Sequence, residues 1–310
     1  MCSIIGHDLS SFLDSAGIDQ ADAVFVPSAD AELVLAIAEQ LRARAKPPRI
    51  YLRLMYDDVG CHRTDPTWRS ALQVLLDAPN ANGRVRFLAE THAFAKAMEA
   101  IWPAPIAVLP HPSDLPATPV PDLGGDFVVY LAGQSRTDKG GPLVHAVARA
   151  LATELGPARR TVQLRVQGGV PISYGKVQIE GLPHHLYADD YALNWRQAHA
   201  ALFMHDPKVY ALRGSGVVCD AMASARPFIY LNGSSLSEWS ARGNALGADP
   251  LPEVIAQTIV KLMDDYPRIA GMSAMAVPTL ADSIQTGLSG LGTDHAKAFQ
   301  NGISNVAHSG

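Results

Sequence analysis

Apolar and polar positions follow two periods that alternate along the chain. Short blocks of consecutive apolar residues, the first at Ala23–Val26, are each followed by a segment whose apolar residues fall three and four apart. That is the pattern of a buried strand leading into an amphipathic helix. After the first block, Asp30 is placed to cap a helix in which Leu33, Ile37 and Leu41 share one face, and Pro47 with Pro48 ends it. Residues 49–55 (RIYLRLM) predict a strand, 66–76 a helix with Pro66 in its first turn, 84–88 a strand and 93–102 a helix. Between 103 and 121 (PAPIAVLPHPSDLPATPVP) proline recurs every few residues. Proline removes backbone donors and disfavours helix, so this stretch is expected to be extended, with only 106–109 suited to a buried strand.

The alternation restarts at 127–131 (FVVYL). Helices are predicted over 142–155, 191–200, 216–225 and 251–266, and strands over 162–166, 177–179, 201–204 and 227–231. Strands separated by helical connections imply parallel sheets covered by helices. The expected fold class is therefore α/β, with two Rossmann-like domains and a cleft between them. Residues 1–120 form the first domain and 121–277 the second, and the Gly-, Ser- and Ala-rich residues 278–310 form a weakly helical tail. Ligands of such sheets sit at the carboxyl ends of the strands.

Composition narrows the class. A 48% hydrophobic content supports a packed core, and a net charge of −5 argues against a nucleic-acid partner. Cys2, Cys61 and Cys219 make no disulfide framework, and no CxxC or HExxH spacing is present for zinc. No run approaches the ~18 to 20 apolar residues that span a bilayer, and MCSIIGHDLSSFLD lacks the basic and apolar regions of a signal peptide. A soluble, cytoplasmic protein is expected, with room for peripheral membrane association.

Two segments can carry chemistry. Gly133-Gln134-Ser135-Arg136-Thr137-Asp138-Lys139-Gly140-Gly141 lies between a predicted strand and a helix, where a phosphate binds. It is neither a Walker A loop nor a GxGxxG fingerprint, and on spacing alone an ordinary solvated loop with two surface cations is the favoured account. The second segment runs from His205-Asp206-Pro207 through Tyr210 to Arg213-Gly214-Ser215-Gly216 and then Asp220-Ala221-Met222-Ala223. Amides at the start of a helix, its dipole and Arg213 would hold an anion, and Asp220 would accept hydrogen bonds from a diol. The plain alternative is a helix capped by Ser215 with Asp220 as a solvated acid favoured by the dipole; local physics leaves both open. No GxSxG elbow marks a hydrolase.

Together these segments resemble the donor-side half of GT-B glycosyltransferases, especially the large retaining group that uses nucleotide-sugar donors. That family carries Gly-Arg-x-x-x-x-Lys-Gly between strand and helix; here the frame runs from Gly133 to Lys139-Gly140, with Gln134 at the usual arginine and Arg136 placed as in relatives reading Gly-x-x-Arg-x-x-Lys-Gly. Its later signature, a Gly-rich loop, Glu-Ala-Met-Ala and a Gly-Lys-Pro strand, is matched by Arg213 to Gly216, Asp220 to Ala223 and Arg226-Pro227. Asp replaces Glu at 220, Leu212-Arg213 stand near the family's first paired acid, and the acceptor-side domain before residue 120 is abbreviated.

The resemblance implies a GT-B fold whose C-terminal tail returns to the first domain. It also implies transfer of a sugar from a nucleotide-sugar donor to a glycan or lipid-linked acceptor, in bacterial surface polysaccharide synthesis, with retention and without a metal. Arg136 and Lys139 would be catalytic. Gly133, Arg213, Gly214, Ser215, Gly216 and Asp220 would bind the donor, with Tyr210 and His111 as further candidates. No cofactor is expected, the nucleotide-sugar being a substrate. A non-catalytic sugar-nucleotide-binding subunit and a nucleotide-sugar epimerase on the same fold are the other readings.

Overall fold

The computed structural model describes residues 4–18, 23–27, 29–54, 66–99, 102, 104–156 and 159–289. Cys2, Met55, Cys61 and the tail beyond 289 lie outside the described residues. The chain divides into two compact units, one running to Pro110 and taking in the chain from Ser283, the other His111–Asp282.

The first unit begins with a helix that the apolar pattern did not predict, α1 (Ile4–Ser15), whose Leu13 is buried and whose Asp14 pairs with Arg44 at 2.5 Å. Then follow β1 (Ala23–Val26), α2 (Ala31–Ala43), β2 (Arg49–Leu54), α3 (Pro66–Leu76), the single turn α4 (Ala81–Arg84), β3 (Val85–Ala89), α5 (His92–Glu99) and β4 (Ala107–Val108). The predicted cap of α2 is formed, with Leu33 N donating to Asp30 Oδ1 at 2.8 Å. The four strands make a parallel sheet in chain order, with Phe25 opposite Tyr51 and Leu52 opposite Phe87.

The second unit holds β5 (Phe127–Leu131), α6 (Val144–Leu155), β6 (Val162–Gln167), β7 (Ile172–Tyr174), β8 (Val177–Leu182), α7 (Ala188–Gln197), β9 (Ala200–Phe203), α8 (Gly216–Ala223), β10 (Phe228–Leu231), β11 (Ala245–Ala248) and α9 (Pro252–Asp264). Its seven-stranded sheet has the order β11-β10-β9-β5-β6-β8-β7, parallel throughout except for the edge hairpin β7–β8. All five residues of β5 are buried, which is why that strand reads as an unbroken apolar run. Val129 and Leu131 of β5, Val147 and Leu151 of α6, and Ile255 and Ile259 of α9 share one core.

Division of the chain falls at residue 110, ahead of the boundary expected near 120, because residues 113–122 are fastened to the second unit. Ser113 bonds Asp220, Thr118 and Pro119 bond Arg226, and the Asp122 carbonyl meets His199. The last helix, α10 (Tyr266–Ser289), runs through Pro278 rather than ending near it. Its end belongs to the first unit, where Leu288 packs with Tyr51, Leu88 and Leu109, and Gly287 lies so close to the Val108 carbonyl that a side chain there would overlap it. No helix among the described residues is long and apolar enough to cross a membrane.

Candidate functional site

Strand order decides where the chemistry gathers. From β5 the chain winds outward through β6 and β8, then returns to place β9 on the other side of β5, with Tyr130 paired to Ala201. Loops leaving β5 and β9 therefore part at a topological switch point, the place where open α/β sheets bind ligands. The β5 loop carries Gly133, Arg136 and Lys139, and the β9 loop carries His205, Tyr210, Arg213 and Ser215.

The β5 loop is shaped by two glycines. Gly133 has φ +84°, and a Cβ there would stand 2.8 Å from Lys139 Nζ, so the ammonium lies directly over its backbone. Gly140 has φ +77° and is pressed against the Met204 backbone, a position no side chain can occupy. Gly133 N donates to Gln167 Oε1 at 3.0 Å, and Ser135 N donates to the Gln167 carbonyl at 3.0 Å, tying the loop to the end of β6.

Arg136 does not stand alone. Its Nε and Nη2 grip Asp138 at 3.0 and 2.7 Å, and Tyr210 donates to the same carboxylate at 3.3 Å. Burial would raise the Asp138 carboxyl, but Arg136 and Tyr210 hold it below the usual carboxylate range. The Arg213 guanidinium lies 5.1 Å over the Tyr210 ring. Tyr210 is therefore a buried hub that links the arginine of one loop to the arginine of the other, a role no local pattern announced. Lys139 has no hydrogen-bond or ion-pair partner for its ammonium among the described residues. Burial, then Arg136 and Arg213, lower its pKa, while Asp138 opposes them.

His205 entered the sequence reading only as the start of a turn, with no role of its own. It is buried at the end of β9, edge-on to Tyr210 with ring centroids 4.4 Å apart, and hydrogen-bonded through Nε2 to Ser215 Oγ at 3.1 Å. Burial, then Lys139, pushes its pKa down to about 3, so it is neutral at physiological pH. Ser215 occupies the N-cap position of α8 but makes no cap bond, so the expected plain capping role is not realised. The approach that Gly216 permits is used by His111, whose ring stands 3.4 Å from where a Cβ would be. His111 Nδ1 is 2.8 Å from the Pro112 carbonyl, which fixes that ring at the start of α8.

Asp220 is partly buried and lies beyond the first turn of α8. Its Oδ1 accepts from Ser113 Oγ and its Oδ2 from Tyr191 Oη, both at 2.6 Å. Burial raises its pKa, and the two hydroxyl donors partly offset that rise. Asp220→Ala would strand both donors and is expected to lower stability by about 1–3 kcal/mol. Urea unfolding checks this, and an unchanged midpoint would show that water replaces the carboxylate. Among the described residues no group of three or more His, Cys, Asp or Glu side chains is placed to share a metal ion.

No protein-family model and no curated protein sequence matches the chain. Solved structures do. Anabaena HepE in complex with UDP superposes with a TM-score of 0.64 at 15% identity, over 96% of this chain and 82% of that one. Sucrose-phosphate synthase from Thermosynechococcus elongatus gives 0.63 at 13% identity, over 91% and 75%. The apo structure of OtsA gives 0.68 at 13% identity, over 93% and 75%. These identities speak for architecture, and the architecture agrees with the two α/β units and the returning last helix: the chain has the GT-B glycosyltransferase fold.

Proposed function

We propose that the protein is a glycosyltransferase that moves a sugar from a nucleoside-diphosphate donor to a glycan or lipid-linked acceptor of a bacterial surface polysaccharide, without a metal ion and with retention of configuration. One observation carries the reading. Lys139, half-buried and without an ion-pair partner among the described residues, is within electrostatic reach of Arg136 and Arg213 at the switch point of the sheet, beside the start of α8. Such a gathering of positive charge beside Asp138 is the complement of a diphosphate. Departure of the nucleoside diphosphate builds negative charge on its oxygens, and cations held in place beforehand stabilise it without reorganising. Arg136, Lys139 and Arg213 take that role, with the amides at Ser215-Gly216 beside them and the Gly133 backbone leaving room. Asp220 retains two of its four acceptor positions, enough for a ribose diol. Tyr210 holds the two arginines, and His111 borders the same helix start.

Uridine diphosphate sugars are the first donors to test, since HepE has been solved with UDP-glucose. A true donor at 100 times its dissociation constant should stabilise the protein by about 2.7 kcal/mol in a thermal shift panel of UDP-, GDP- and ADP-sugars. Incubation with acceptor should then release the free nucleotide. No shift with any of them would overturn the reading. Binding with alteration of the donor alone would indicate an epimerase, and binding without turnover a sugar-nucleotide-binding subunit.

A further inference from the structure

Ser215 has the extended backbone of an N-cap residue, φ −147° and ψ 120°, yet its side chain does not cap α8. Its hydroxyl is turned instead to His205 Nε2 at 3.1 Å. His205 is 2% exposed, packed against Phe203 and Tyr210, and its Nδ1 is buried with no hydrogen-bond partner among the described residues. A neutral imidazole carries one proton, and its position follows from these surroundings. A proton on Nδ1 would be a buried donor with no acceptor, which proteins avoid more strictly than an under-used acceptor. A second proton is disfavoured by burial and by the nearby Lys139, Arg136 and Arg213.

We infer that His205 is a positioning residue: its proton sits on Nε2 and is donated to Ser215 Oγ, so that the Ser215 hydroxyl hydrogen is left to donate to an anion at the start of α8. A serine that would otherwise cap its own helix is thereby kept as a ligand donor. The inference rests on the proposed diphosphate site, since without an anion there the freed hydroxyl has no use. His205 itself touches no ligand; it acts through Ser215.

UDP is the probe, titrated calorimetrically into the full chain. Ser215→Ala should weaken UDP binding about three- to tenfold, the range for a single hydrogen bond. His205→Phe should weaken it by a similar factor, and the double variant no further. His205→Gln, whose amide places a donor where Nε2–H stood, should bind within about twofold of the wild type. His205→Asn, which reaches only the position of Nδ1, should behave like the phenylalanine variant and replaces it should that variant not fold. Nitrogen-15 NMR of the unliganded protein should show His205 protonated on Nε2 alone. UDP binding that is unchanged in both His205→Phe and His205→Asn, additive losses in the double variant, or a proton found on Nδ1 would overturn the inference. A wild-type protein that binds no UDP, GDP or ADP would instead overturn the proposed function, while the NMR result would still report the tautomer.

Discussion

Arg226→Ala is expected to destabilise the second unit by about 3–5 kcal/mol, combining the loss of a large buried side chain with the stranding of buried carbonyls. Arg226 is fully buried and forms no ion pair with a carboxylate among the described residues. Its Nε donates to the Trp195 carbonyl at 3.0 Å, and Nη1 to those of Thr118 and Ser224 at 3.0 and 3.1 Å. Nη2 donates to Thr118 Oγ1 at 2.6 Å and to the carbonyls of Pro119 and Arg196 at 3.0 and 3.1 Å. One guanidinium thus satisfies the C-terminal end of α7, the turn after α8 and the proline-rich segment at once. Burial lowers its pKa, a sign that the charge is costly where it stands and is held by these acceptors. Arg226→Lys should recover little, because an ammonium offers three donors from one point where the planar fork offers five. Urea unfolding of both variants tests this. A loss under about 1 kcal/mol in the alanine variant would mean that the freed carbonyls find water.

Lys139→Met should lower kcat for glycosyl transfer by about 100- to 1000-fold, the usual effect of deleting one preorganised group that stabilises developing negative charge. Methionine keeps much of the stem and removes the ammonium. On the proposed function, donor affinity should fall far less than kcat, because Arg136 and Arg213 would remain to bind the ground-state diphosphate. Lys139→Arg should not rescue turnover. The ammonium lies over the Gly133 backbone, and a longer, planar guanidinium would carry its charge to a different point. Single-turnover measurement separates the chemical step from binding. A tenfold effect or less would make Lys139 a loop residue and shift the catalytic burden to the arginines.

Most regular elements could be read locally, because a buried face writes its own period into the sequence. FVVYL is buried on both sides as β5, and the spacing of Leu33, Ile37 and Leu41 became the helix α2. Elements whose period is short or broken escaped. α1 carries serines and aspartates among its apolar positions, β11 is four residues with a glycine inside, and α10 passes through Pro278 because its packing outweighs one missing backbone donor. The candidate loops were legible for a similar reason, since glycines and cations between a strand and a helix are a local arrangement.

What those side chains do was decided elsewhere in the molecule. Arg136 and Arg213 meet at Tyr210 only because the sheet lays β9 beside β5. Asp220 read equally as a diol-binding acid or a solvated one until folding brought Ser113, 107 positions earlier, to its carboxylate. Arg226 was legible only as the residue leading into the strand at Pro227, yet Thr118 and Pro119 close over it and make it a buried anchor. Local sequence sets which backbone conformation a residue adopts, through sterics and periodicity. Burial, charge state and hydrogen-bond partner depend on which distant segment covers the residue, and for His205, Asp220 and Arg226 that was settled by strand order and by the path of the proline-rich segment.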